Sequence, residues 1–139
     1  MPTLFSSAQS ASGRLCMQVA RFLVCGGAAT SAHWAAMALL ISLGVAPLPA
    51  TAAGAAIGSV FNYLLQRHWV FATTVAHRQA LPAYAGTVAI GWGLNAAIFW
   101  LLASRLDLNT AVAQVCTSAL VAIANFILYK RVVFHERTI

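Results

Sequence analysis

Four long apolar blocks, separated by short polar segments, constrain the fold of this chain more than any other feature. A run of about 20 apolar residues is long enough to cross the hydrocarbon core of a bilayer as a helix. Of the 139 residues, 61% are apolar and only 7% are charged, whereas a soluble domain carries roughly a quarter charged residues. The sequence therefore predicts an all-α membrane protein with four transmembrane helices.

The segments between the apolar blocks predict the helix boundaries. The segment GVAPLP, Gly44–Pro49, is expected to end the first helix, with Gly44 as its C-terminal cap. Pro82 fits the first turn of the third helix, and Asp107 or Asn109 is expected to cap the fourth. The predicted helices are about 22–43, 50–65, 82–103 and 110–129, with a polar linker at 66–80. They form a transmembrane domain at 21–134, between predicted cytoplasmic segments at 1–20 and 135–139.

The basic residues predict the orientation of the helices. Arg105 falls on one side of a four-helix topology, and the other basic residues fall on the opposite side: Arg14, Arg21, Arg67, Arg78, Lys130, Arg131 and Arg137. By the positive-inside rule, both termini are then cytoplasmic. The net charge of +6 lies in short clusters at the block ends. This distribution favours membrane lipids, and not nucleic acid, as the partner.

One sequence motif occurs twice. The first copy reads FNYLLQRHWVF at 61–71, and the second reads NFILYKRVVF at 125–134. Asn62 aligns with Asn125, Arg67 with Lys130, and Phe71 with Phe134. We call residues 61–71 the first exit and residues 125–134 the second exit, because each follows a predicted helical hairpin. The sequence predicts two parallel hairpin repeats, related by an axis along the membrane normal.

The polar residues of the two exits and of the helices have two interpretations from the sequence. Cations at helix ends either set the topology or bind an anion, and those at the exits are Arg67, Lys130 and Arg131. Uncharged polar residues either hydrogen-bond neighbouring helices or contact a polar substrate, and the candidates are Asn62, Asn125, His33, Asn95 and Gln66. Gly54 and Gly58 suit close helix packing. We expect a homo-oligomer formed through the face of these two glycines, because four short helices enclose little space.

The residue types argue against catalysis. Neither acidic residue lies within a predicted helix, and the cysteines and histidines do not form a metal-ligand pattern. We therefore expect no enzyme activity, no metal and no cofactor. A small multidrug exporter is a less favoured alternative, because such proteins resemble one another in an acidic residue of the first helix, where this chain has His33.

Three motifs resemble the GtrA-like family of small four-helix bacterial inner-membrane proteins. They are RFLVCGG at 21–27 and the two exits, so the resemblance covers most of the chain. The residues that match the family motif are Asn62, Arg67, Trp69 and Phe71 in the first exit and Asn125, Lys130 and Phe134 in the second. Relatives often have an Asn-Thr pair followed by an acidic residue in the first helix, where this chain has Ala29-Thr30 and His33, so it departs from the family at Ala29 and His33. It also departs at Val132, which replaces the tryptophan in the second exit.

The resemblance implies a part in cell-surface polysaccharide synthesis at the bacterial cytoplasmic membrane. The expected activity is the flipping of a polyprenyl-phosphate-linked sugar across that membrane. The cations of the exits, Arg67, Lys130 and Arg131, would then bind its phosphate, and the uncharged polar residues would bind sugar hydroxyls or brace the helices. The alternative is a membrane adaptor without transport activity that positions a separate glycosyltransferase.

Overall fold

The computed structural model describes residues 4–135, with side-chain surroundings for 12–135. Residues 1–3 and 136–139, including most of the predicted C-terminal tail and Arg137, lie outside the described residues. Every secondary-structure element in the described part is helical. The elements are α1 (Leu4–Ser42), α2 (Pro47–Leu65), α3 (His77–Trp100) and α4 (Thr110–Leu128), and π-helical turns continue the last three at Gln66–Val70, Leu101–Arg105 and Tyr129–Val133.

Four segments of these helices are long and apolar enough to cross a membrane. They are Ser12–Ser42, Pro47–Val70, His77–Arg105 and Thr110–Val133. Large apolar side chains on them, such as Trp34, Leu39, Trp92 and Val115, are more than half exposed. Such a surface is stable against lipid and unfavourable in water. The predicted class, an all-α protein with four membrane-spanning helices, is confirmed.

The helix boundaries differ from the sequence prediction mainly at their polar ends. Helix α1 begins at Leu4 and includes most of the segment that was predicted to precede it. Its 39 residues correspond to about 58 Å of helix, roughly twice the thickness of the hydrocarbon core. The predicted linker at 66–80 is helical at both ends, which leaves residues 71–76 as the connection. Pro82 lies inside α3 and not in its first turn, because α3 begins at His77.

The caps at two helix ends agree with the sequence prediction. Gly44 has a φ of +87°, a conformation that glycine adopts without a steric penalty. The amides of Gly44 and Val45 donate to the carbonyls of Ile41 and Leu40 at 3.0 Å each, which is the hydrogen-bond pattern of a Schellman motif. At α4, Asn109 and not Asp107 forms the cap, since its Oδ1 accepts from the amide of Ala111 at 2.9 Å.

The chain divides into two compact units, at residues 1–72 and 73–139, which we call the first and second hairpin. In the first hairpin, α1 and α2 pack through the two glycines of α2. A Cβ at Gly54 would lie 2.7 Å from both Cδ2 and the main-chain oxygen of His33. A Cβ at Gly58 would lie 2.9 Å from the main-chain oxygen of Ala29 and from Cβ of His33. The prediction that this glycine face joins protomers is therefore wrong, because α1 of the same chain covers it.

The second hairpin has a similar close approach between α3 and α4. A Cβ at Gly91 would lie 3.0 Å from Oδ1 of Asn125. Two threonines, Thr87 and Thr117, are 3% and 0% exposed. The hydroxyl of Thr87 donates to the carbonyl of Ala83, one turn earlier, at 2.9 Å. Small and hydroxyl-bearing residues thus fill the interface of this hairpin, as in many membrane helix pairs.

Candidate functional site

The first exit ends α2 with a π-helical turn, Gln66–Val70, that is closed by a hydrogen bond from the amide of Phe71 to the carbonyl of Gln66 at 2.9 Å. The last carbonyls of any helix lack partners within the helix. Here two of them accept from side chains of α1: Gln18 Nε2 donates to Val70 at 3.3 Å, and Arg21 Nη1 donates to Trp69 at 3.4 Å. Helix α1 therefore holds the end of α2 in place.

Arg21 makes a second contact with Trp69. The centre of its guanidinium lies 5.7 Å from the centroid of the indole ring, within the range of a cation–π interaction. Both side chains are exposed, and 45% of the surface of Trp69 is accessible. Arginine and tryptophan are both typical of the membrane–water interface.

Gln66 occupies the inner side of the first exit and is 1% exposed. Its Nε2 donates to the main-chain oxygen of Phe22 in α1 at 3.4 Å and to Oδ1 of Asn62 at 3.2 Å. The orientation of the Gln66 amide is fixed by the contact with Phe22, because a main-chain oxygen can only accept a hydrogen bond. The other amide atom, Oε1, is buried and has no partner among the described residues.

Arg67 is the most buried cation in the described part of the chain, at 7% exposure. Its Nε and Nη1 are buried without a hydrogen-bond partner among the described residues. Burying a charged group without a partner costs several kcal/mol. A guanidinium that offers unpaired N–H groups in a buried place is therefore suited to bind an anion from outside the chain.

The second exit has the same backbone geometry with different side chains. Its π-helical turn, Tyr129–Val133, lies 63 residues after that of the first exit and is closed in the same way, by the amide of Phe134 and the carbonyl of Tyr129 at 2.9 Å. Tyr129 stands at the position of Gln66 and packs against the rings of Tyr84 and Phe134, at centroid distances of 5.3 and 6.1 Å. Aromatic packing thus replaces the amide network of the first exit.

The cations of the second exit are exposed, unlike Arg67. Lys130 and Arg131 both lie on the accessible surface. The Nζ atom of Lys130 lies 5.9 Å from the ring centroid of Phe126, one turn earlier in the same helix. These two residues are thus in a position to meet lipid or substrate phosphates at the interface, where water screens their charge.

The other uncharged candidates are His33 in the first hairpin and Asn125 and Asn95 in the second. His33 packs against Gly54 and Gly58, and its Nε2 is buried without a partner among the described residues. It lies about 16 Å along α1 from Phe22. Asn125 packs against Gly91 with its Oδ1 in the same buried, unpartnered state. Asn95 is half-buried in α3, one turn beyond Gly91. Within the first hairpin, the structure thus joins Asn62 to Gln66, the neighbour of Arg67, and places His33 away from them.

Sequence reasoning missed the two residues of α1 that hold the first exit. Gln18 was assigned to a segment before the helix, and Arg21 was interpreted only as a topology signal. The available signal was their spacing of three residues, which places them on one face of a helix. That signal is informative only if α1 continues through both positions, as it does here.

A protein-family model matches most of the chain. The family model described as "GtrA/DPMS, transmembrane domain" matches residues 21–134. The matched segment begins at Arg21, continues through both exits, and ends at Phe134. No curated protein matches the chain.

Proposed function

The chain belongs to the family of the GtrA/DPMS transmembrane domain, and we infer that it acts in a sugar-linked membrane pathway, as that domain implies. We propose that it flips a polyprenyl-phosphate-linked sugar across the bacterial cytoplasmic membrane. The product would serve cell-surface polysaccharide synthesis. In the proposed orientation, both termini and both exits face the cytoplasm. Arg67 binds the phosphate of the substrate there, at the end of α2.

The buried guanidinium of Arg67 is the observation that carries this proposal. A phosphate offers anionic oxygens to its unpaired N–H groups, and a charge-assisted hydrogen bond contributes about 1.5–3 kcal/mol. The substrate has the matching layout, with an apolar tail for the hydrocarbon, a phosphate at the interface and a sugar beyond it. The contacts of Gln18 and Arg21 with the first exit support a site of fixed geometry, which lowers the entropic cost of binding.

The second exit has a weaker proposed role in the same function. Lys130 and Arg131 attract phosphate-bearing lipids to the second hairpin from an exposed position. Near an anionic membrane surface such a cation contributes about 1 kcal/mol. The uncharged polar residues are proposed either to bind hydroxyls of the substrate or to hydrogen-bond neighbouring helices. These residues are Asn62, Asn125, His33 and Asn95.

Transport by purified protein in vesicles tests the proposal. The test variant combines Arg67→Gln with Gln79→Arg, which restores the cation at an exposed position of α3 and keeps the positive-inside count. The control is Arg131→Gln, the same change at an exposed cation. We expect the test variant to lower the initial rate of flipping by about tenfold or more, and the control to lower it by less than about fivefold.

Two results would contradict the phosphate site. One is a correctly inserted test variant that flips the substrate as fast as the parent. The other is an equal loss in the test variant and the control, which would indicate general surface charge. A parent protein that gives no acceleration, but that co-purifies with a glycosyltransferase, would favour the adaptor function.

A further inference from the structure

The side chain of Gln66 carries a buried acceptor that phosphate binding leaves unused. Its Nε2 already donates to Phe22 and Asn62, which leaves Oε1 as the unpartnered atom in a side chain that is 1% exposed. A phosphodiester is an anion with acceptors only, so its phosphate cannot satisfy this oxygen. The matching group must donate through O–H or N–H.

Gln66 and Arg67 are neighbours in the chain, and their side chains leave the helix in different directions. Consecutive residues of a helix are about 100° apart around its axis. The two side chains therefore do not chelate one atom, and they do not satisfy each other, since both keep buried polar atoms without partners. Each therefore offers a different chemistry to a ligand, hydrogen-bond donors at Arg67 and an acceptor at Gln66.

From these observations we infer that Gln66 is a specificity-determining residue that recognises a hydroxyl close to the phosphate. The ligand class is a phosphodiester whose alcohol carries such a hydroxyl, as in a sugar joined to a lipid phosphate. This inference rests on the proposed function and adds the selection of substrate to it. A lipid phosphodiester without a hydroxyl would leave Oε1 buried and unpaired, which costs binding free energy.

Under this inference, only the first exit distinguishes a phosphodiester with a hydroxyl near the phosphate from one without. The equivalent position in the second exit is Tyr129, whose ring packs against Tyr84 and Phe134. That packing fills the position with apolar surface. The second exit therefore offers exposed cations without a buried acceptor at this position, and we expect it to attract phosphates without distinguishing their alcohols.

Two kinds of lipid share the required chemistry, so the experiment must separate them. Three probes are compared by calorimetric titration of the detergent-solubilised protein: a short-chain polyprenyl phosphate carrying glucose, the matching polyprenyl methyl phosphate, and phosphatidylglycerol. All are phosphodiesters, but the methyl ester has no hydroxyl, and phosphatidylglycerol is a bulk membrane lipid that has hydroxyls. We expect the parent to bind the glucosyl probe about tenfold more tightly than the methyl ester, and the comparison with phosphatidylglycerol shows which of the two hydroxyl-bearing lipids the site selects.

Matched substitutions assign this selectivity to one atom. Gln66→Met removes the acceptor and should bring the glucosyl probe to the affinity of the methyl ester. Gln114→Met makes the same change at an exposed glutamine of α4, and we expect it to retain the tenfold preference. Arg67→Gln should weaken binding of both polyprenyl probes by a similar factor, because it removes the phosphate contact that they share.

The outcomes separate failure of this inference from failure of the proposed function. Equal binding of the glucosyl and methyl probes by the parent overturns the role of Gln66 and leaves the phosphate site standing. Equal binding of phosphatidylglycerol and the glucosyl probe assigns the site to a bulk headgroup and overturns selection of a sugar. Binding of neither polyprenyl probe by the parent overturns the phosphate site as well. A Gln66→Met variant that keeps the tenfold preference also overturns the role of Gln66. Equal binding of the two polyprenyl probes by the parent overturns it even if Gln66→Met does not fold.

Discussion

Replacing Gly54 by alanine should destabilise the first hairpin through a steric conflict that the helices cannot relieve locally. The added Cβ would lie 2.7 Å from Cδ2 and from the main-chain oxygen of His33, and 3.3 Å from Cβ of Met37. The imidazole can rotate away, but the main-chain oxygen moves only if α1 moves. We therefore expect α1 and α2 to separate by several tenths of an ångström at this level.

The magnitude follows from a comparison with a glycine that has space around it. A Cβ at Gly27 in α1 meets no atom within 4 Å. Alanine favours a helix over glycine by about 0.8–1 kcal/mol at either position, so this contribution cancels in the difference between the two variants. Overpacking a well-packed interface costs about 1–3 kcal/mol. Gly54→Ala should thus be less stable than Gly27→Ala by about 2–3 kcal/mol, since one of its close contacts is with the main chain.

Unfolding in mixed detergent micelles, monitored by the loss of helical circular dichroism, measures this difference. Gly54→Ala should lower the free energy of unfolding relative to the parent, and Gly27→Ala should leave it unchanged or raise it slightly. If the two variants have the same stability within about 0.5 kcal/mol, the close approach of α1 and α2 does not contribute as we argue.

Further predictions concern the second hairpin and the topology. Thr117→Val should raise the free energy of unfolding by about 1 kcal/mol in the same assay. The reason is that a methyl group of similar shape replaces a fully buried hydroxyl that has no partner among the described residues. A loss of stability would contradict this. Gly91→Ala should destabilise by about 1 kcal/mol more than Gly93→Ala, because its Cβ meets Asn125 at 3.0 Å and that of Gly93 meets nothing within 4 Å. Reporter fusions should give a cytoplasmic signal after Thr74 and a periplasmic signal after Asp107, and the reverse pattern would overturn the proposed orientation.

The amino-acid sequence by itself determined the number of helices, their approximate positions and their class. Apolar blocks of membrane-spanning length leave few alternatives, because each backbone polar group in a bilayer must be satisfied within the structure. The caps at Gly44 and Asn109 were also predictable, because each depends on a local property. Gly44 adopts a left-handed conformation, and Asn109 has a short side chain that accepts a hydrogen bond. The family was indicated by the motif RFLVCGG and by the residues of the two exits, and the family model matches residues 21–134.

Only the tertiary structure decided which of the polar residues are buried and which of their atoms lack a partner among the described residues. In the sequence, Arg67 and Lys130 align as equivalent cations, but one is buried and the other exposed. The same is true of Gln66 and Tyr129, which occupy equivalent turns and make different contacts. Burial depends on which side chains of other helices lie nearby, and those neighbours are remote in the sequence, as Phe22 is from Gln66. Periodicity and spacing describe one helix at a time, so they cannot predict whether a cation or an amide will be left buried without a partner.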